Sequence, residues 1–110
     1  MNKNVKELIM MVEAQREEYY EYLEDTAYDH KKIRYRGAIE GFHVVLGELR
    51  DIDLYVSQEV NIKEFITWVE DQREEYRDYL EDTTYDHKRT RYAGVIEGFN
   101  VVLNELRDMQ

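Results

Sequence analysis

The sequence predicts an all-α fold: two tandem helical hairpins that form a four-helix, coiled-coil-like bundle with pseudo-twofold symmetry. Three observations point there. The stretch Glu7–Asp53 realigns on Glu64–Gln110 at a constant offset of 57 with no gap, and 32 of the 47 aligned residues are identical. The chain has no proline, which leaves long helices uninterrupted. Its apolar residues recur at steps of three and four, the helical period, rather than two. Residues 1–53 are the first hairpin, 54–60 a connector and 61–110 the second hairpin, and 110 residues suffice for one compact domain overall.

The first helix of each copy opens on an asparagine with a glutamate three residues on, Asn4 with Glu7 and Asn61 with Glu64. This is capping-box spacing, in which the asparagine accepts an orphan N–H and the glutamate reaches back. Val5, Leu8, Ile9, Val12, Tyr19, Tyr22 and Leu23 then mark one helical face, giving a helix over about 4–25. A second start signal, Thr26 with Asp29 and again Thr83 with Asp86, predicts a tight corner capped by threonine. A helix running unbroken through it is the alternative, since neither glycine nor proline forces a turn. From the corner, Tyr28, Tyr35, Ala38, Phe42, Val45, Leu49 and Ile52 form a heptad seam over a helix of about 27–53. Ile39, Val44 and Leu46 widen this stripe, so the second helix must touch more than its own hairpin partner. Two hairpins packed face to face bury that surface in a rod ~35 Å long, the geometry of a fused homodimer.

The differences between the copies support this register. Ile33/Thr90, Arg36/Ala93, His43/Asn100 and Gly47/Asn104 all fall on the face turned away from the seam. Retained polar residues, among them Arg34, Glu40, Glu48, Arg50 and Asp51, are not accounted for by packing. The helix-packing glycines Gly37 and Gly41 recur as Gly94 and Gly98. Each costs a helix interior ~1 kcal/mol relative to alanine, so each is expected to give clearance to a neighbour. Folding the hairpin at Thr26 sets Gln15 and Arg16 opposite Gly37, with Arg16 in reach of Glu40.

Composition narrows the function. A net charge of −10, from 25 acidic and 15 basic residues, disfavours direct binding of nucleic acid and favours basic partners. Magnitude argues against full-length duplex mimicry, because ~35 Å of DNA carries about 20 charges, and leaves a local acidic face on the first helices that could imitate a short phosphate row. The absence of cysteine removes disulfides and thiolate metal sites and is compatible with a reducing cytoplasm. No signal-peptide layout and no apolar run near ~18 residues is present, so a cytoplasmic protein with no membrane partner is expected.

Candidate chemistry is sparse. Glu21-x-x-Glu24 with Glu48-x-x-Asp51 resembles the magnesium-binding spacing of all-α nucleotide pyrophosphohydrolases related to MazG and dimeric dUTPase; Asp78, Glu81, Glu105 and Asp108 repeat it. In a hairpin, however, Glu24 and Glu48 lie ~30 Å apart, and so acid-rich a chain yields chance matches. Glu40-x-x-His43 has di-iron spacing, but its repeat replaces the imidazole with Asn100. His30 and His87 are retained without a serine or cysteine nucleophile beside them. The expectation is therefore no enzyme, no metal and no cofactor. The basic run His30, Lys31, Lys32, Arg34 and Arg36 is expected to ion-pair with Glu17, Glu18, Glu21 and Glu24 across the hairpin.

Eight of ten tyrosines fall at four duplicated positions, 19, 22, 28 and 35 with 76, 79, 85 and 92. Tyrosine favours interfaces, so the corner ends are candidate binding surfaces. The interaction candidates are Glu17, Glu18, Tyr20, Glu21, Tyr28 and His30 in the first copy. Glu74, Glu75, Arg77, Asp78, Tyr85 and His87 are their counterparts in the second, where Trp68 is a further candidate. Finally, Arg34-Tyr35-x-Gly37-x-Ile39-Glu40-Gly41-Phe42-x-x-Val45-Leu46-x-Glu48-Leu49, repeated at 91–106, resembles small acidic helical-hairpin proteins of phages and prophages of Gram-positive bacteria. The resemblance implies a phage accessory protein, a class that includes inhibitors of host defence. The implied partner is a host protein with a nucleic-acid-binding surface, with self-association open.

Overall fold

The computed structural model describes all 110 residues. Its elements are β1 (Asn2–Asn4), α1 (Val5–Asp25), α2 (Asp29–Tyr55), β2 (Glu59–Asn61), α3 (Ile62–Asp82) and α4 (Asp86–Asp108). The fold is an all-α bundle of two helical hairpins, α1–α2 and α3–α4, with one small two-stranded sheet. Asn4 caps α1 by accepting the Lys6 N–H at 2.8 Å, and Asn61 caps α3 by accepting the Glu64 N–H at 3.0 Å. Neither glutamate closes the expected capping box.

The hairpin corners are short, residues 26–28 and 83–85, and the unbroken-helix alternative is not what forms. Their chemistry differs from the expected cap. Tyr28 and Tyr85 sit at the N-cap positions with no side-chain cap bond. The Thr26 and Thr83 hydroxyls instead accept the N–H two residues on, at 3.3 and 3.4 Å, holding the corner rather than the helix. A hydroxyl tied into a local turn is not available to the helix that follows.

The connector is also more ordered than expected. The α2 helix runs on to Tyr55 and ends with the Val56 and Ser57 N–H groups both bonded to the Ile52 carbonyl at 2.9 Å. The chain then enters β2, which pairs antiparallel with β1 in the register Asn2↔Asn61, Lys3↔Val60, Asn4↔Glu59. With the offset of 57, Lys3 and Val60 are equivalent residues, so a twofold axis passes through that pair. The flanking bonds obey the same operation: Val5 N–H to the Gln58 carbonyl at 2.8 Å and Ile62 N–H to the Met1 carbonyl at 2.9 Å. The ribbon was not legible because three residues per strand carry no periodicity.

The core joins Val5, Leu8 and Val12 of α1, Ala38, Phe42, Val45, Leu46 and Leu49 of α2, and their counterparts in α3 and α4. The widest interface is between α2 and α4, while α1 and α3 each pack chiefly on their own hairpin partner. This corrects the reading of the glycines. A Cβ at Gly37 would collide with the Arg91 carbonyl, and one at Gly94 with the Arg34 carbonyl. One at Gly41 would lie 2.7 Å from the Val95 carbonyl, and one at Gly98 2.5 Å from that of Ala38. The glycines thus make room for the other copy's backbone, not for Gln15 and Arg16. Gly37 faces Gly94 and Gly41 faces Gly98 in the same order along both helices, so α2 and α4 run parallel. The twofold axis lies along this central pair, the corners are at one end and the ribbon is at the other. The longest dimension is 39 Å.

Candidate functional site

Two of the polar residues that packing left over, Arg34 and Glu40, join the copies. Arg34 Nε lies 3.1 Å from Glu97, and Arg91 Nε lies 3.2 Å from Glu40. The same two glutamates accept hydroxyls from the outer helices of the opposite hairpins: Tyr19 to Glu97 at 2.7 Å and Tyr76 to Glu40 at 3.3 Å. Each glutamate is therefore held by an arginine and a tyrosine of the other copy. The expected Arg16–Glu40 contact does not form; Arg16 lies 3.9 Å from Glu13, one turn away. Arg50 and Arg107 bind Glu13 and Glu70 at 3.3 and 2.9 Å, tying each second helix to its first. These partners explain why Arg34, Glu40 and Arg50 persist in both copies. Glu48 and Asp51 acquire no such partner.

The tyrosines form two equivalent clusters. Tyr19 sits edge-on to Tyr22, Tyr35 and Phe42 at 5.1, 5.9 and 5.2 Å between centroids, and Tyr76 repeats this with Tyr79, Tyr92 and Phe99. Burial, then the bond to Glu97, pushes the Tyr19 hydroxyl well above its ordinary value of 10.0. Burial and the Glu40 carboxylate raise Tyr76 likewise. For Tyr22 and Tyr79 the leading cause is the bond to Glu18 and to Glu75. Tyr28 and Tyr85 are not core, contrary to their seam positions. They are about 70% exposed at the corners, each with a lysine (Lys31, Lys88) 5.4 Å from its ring centroid.

The expected ion pairing across each hairpin is absent. Arg34 goes to the other copy, and the Arg89 guanidinium donates to the Leu80 and Thr83 carbonyls at the end of α3 at 2.9 and 3.0 Å. Glu17, Glu21, Glu24 and Asp25 of α1 are left exposed with no basic partner, as are Asp78, Glu81 and Asp82 of α3. Glu74 alone in that stretch is paired, with Arg77 at 3.2 Å. Of the remaining candidates, Tyr20 is half-buried against the core, and His87 is exposed. His30, also exposed, lines a shallow groove between the copies with Arg34, Leu80 and Arg89. Trp68 is half-buried and stacked on Phe65, centroids 5.5 Å apart and planes within 15°.

The acidic pairs of the hydrolase pattern are not assembled. Glu21 and Glu24 lie near the corner, Glu48 and Asp51 at the ribbon end, and no group of three or more His, Asp or Glu is placed to hold a metal ion. His43 is exposed on the outer face of α2, and local desolvation, then Arg16 and Arg50, lowers its proton affinity. No helix is long and apolar enough to cross a membrane. Comparison with known protein families, curated proteins and solved structures gives no match.

Sequence reasoning missed one surface. Between the end of α2, β2 and the start of α3 lies a groove of about 240 Å³ that includes Glu48, Ile52, Val60, Glu64, Phe65 and Trp68. The change from Met11 to Trp68 was its one visible signal. The groove itself arises where the ribbon turns the chain, which periodicity does not report.

Proposed function

We propose that this protein is a non-enzymatic binding module, a phage accessory protein that acts by occupying a basic surface of a host protein, such as the nucleic-acid-binding surface of a defence factor. The observation that carries this reading is the pair of unneutralised acidic faces. Glu17, Glu21 and Glu24 on α1, with Asp78 and Glu81 on α3, are exposed and without ion-pair partners. Of the basic side chains expected to neutralise them, Arg34 and Arg91 join the copies, Arg89 closes α3, and Lys31 and Lys88 lie over the Tyr28 and Tyr85 rings. Such a face steers a basic partner at long range and suppresses acidic ones. The phage and host assignment rests on the Arg34–Leu49 sequence pattern alone.

The test is retention of a defined host protein on immobilised chain, compared with a variant carrying Glu17→Gln, Glu21→Gln, Glu24→Gln, Asp78→Asn and Glu81→Gln. Retention that is lost in the variant and at about 1 M salt, where charges are screened beyond ~3 Å, supports the reading. Equal retention by the variant overturns it. So does magnesium-dependent nucleotide turnover that Glu48→Gln abolishes.

A further inference from the structure

The groove beside Trp68 combines an apolar floor with an acidic rim. Its floor is apolar, with Val60 and Phe65 almost fully buried. Trp68 and Ile52 form half-buried apolar walls. Three glutamates, Glu48, Glu59 and Glu64, stand at its rim, and no basic residue lines it. None of the three forms an ion pair, and Glu48 is itself half-buried. The offset of 57 maps the groove onto a place where Lys3 replaces Val60, Asn2 replaces Glu59 and Met11 replaces Trp68. There Met11 and Glu105, the equivalents of Trp68 and Glu48, line a differently placed cavity with Ala14, Gln15, Glu18, Val101 and Asn104. The volume of about 240 Å³ is below the ~300–1,000 Å³ of small-molecule pockets, so it suits one inserted side chain rather than a cofactor.

We propose that this groove is an anchor site for a basic, amphipathic segment of a partner protein. One apolar side chain of that segment lies against Trp68 and Phe65, and its flanking lysines or arginines meet Glu48, Glu59 and Glu64. Charge complementarity selects this occupant: an acidic or neutral segment would leave three carboxylates crowded and uncompensated as the groove is covered. The proposal deepens the acidic-binder reading and rests on it. It adds that the two copies are not equivalent and that the chain has one anchoring site.

Trp68 is the only tryptophan in the chain, so its fluorescence reports the groove directly. The experiment titrates the full chain with three short synthetic peptides: a Leu/Lys amphipathic peptide, a Ser/Lys peptide of equal charge and a Leu/Glu peptide. The expected result is a saturable change with Leu/Lys at one peptide per chain. Binding should be at least about tenfold weaker with Ser/Lys and absent with Leu/Glu. Glu48→Gln/Glu59→Gln/Glu64→Gln should weaken Leu/Lys binding by about tenfold or more, while Glu7→Gln/Glu105→Gln/Asp108→Asn, which includes the twofold equivalents of Glu64 and Glu48, leaves it within about twofold. Circular dichroism confirms that the variants remain folded. If Ser/Lys binds as well as Leu/Lys, or both charge variants weaken binding equally, charge alone holds the peptide; the anchor site is then wrong and the acidic-face reading stands. If no basic peptide binds at any site, both fall.

Discussion

Gly37 shows why a helix keeps a residue that weakens it. Any Cβ there meets the Arg91 carbonyl of the parallel helix, and that carbonyl belongs to rigid helical backbone. Gly37→Ala should therefore lose about 1–2 kcal/mol net in denaturant unfolding, an overpacking cost of about 2–3 kcal/mol offset by the ~1 kcal/mol gain in helix propensity. Gly47→Ala is the contrast. Nothing lies within 4 Å of its Cβ position, so it should gain about 0.5–1 kcal/mol. The recurrence of these glycines was legible, but the identity of the neighbour was not: spacing reports which residues share a face and is silent about what covers it. The tyrosines make a second residue-scale prediction. Tyr19 and Tyr76 have raised proton affinities in the fold, so their contribution to stability is intact below the ordinary value of 10.0 and falls as pH rises above it. Alkaline unfolding followed by tyrosinate absorbance and circular dichroism should be shallower in Tyr19→Phe/Tyr76→Phe than in the parent. An unchanged slope would show that neither hydroxyl contributes.

At the scale of the element, the helices were readable because each carries its own start signal and period. Asn4 and Asn61 cap as their chemistry demands, and a cap of this kind contributes about 0.5–2 kcal/mol. The corner threonines carry a similar sequence signal but hold the backbone of the turn instead. Asn61→Ala should consequently lower the unfolding midpoint clearly, by about 1 kcal/mol of stability, whereas Thr83→Ala should cost less because its 3.4 Å contact caps no helix. Equal losses in the two variants would mean that the threonines cap after all. The candidate site was less legible than the helices for a physical reason. Glu17 and Glu21 could be picked out as interaction candidates, but whether a cation neutralises them depends on where Arg34 and Arg89 go. Arg34 is drawn to a carboxylate 63 residues away in sequence, Glu97. The groove at Trp68 depends on β2, whose backbone pairing leaves no mark in a three-residue stretch.

On the scale of the whole molecule, the twofold relation has a consequence for chain connectivity. In the first copy, Asp53 is joined to Gln58 through Leu54, Tyr55, Val56 and Ser57. The offset of 57 makes Gln110 the equivalent of Asp53, and Met1 stands where Gln58 stands: each offers its carbonyl to the first N–H of a helix, Ile62 and Val5 respectively. The separation between Gln110 and Met1 is therefore one that the protein already spans elsewhere with four residues. A circular permutant that joins Gln110 to Met1 through Leu-Tyr-Val-Ser and opens the chain between Ser57 and Gln58 exchanges the roles of the two copies. It leaves the parallel α2–α4 contact, both Glu–Arg–Tyr clusters and the ribbon register untouched. Its helical circular dichroism should match the parent, and its melting temperature should lie within a few degrees, since ~1 kcal/mol shifts a domain of this size by about 4–8 °C. The control moves the opening to the corner between Ala27 and Tyr28, which unties α1 from α2 while keeping the same linker. That permutant should be clearly less stable, because the Thr26 turn bond and the aromatic cluster of Tyr19, Tyr22 and Tyr35 then hang on a free end. If both permutants unfold alike, the ribbon end is not the equivalent junction that the symmetry requires, and the description of the chain as a fused dimer fails.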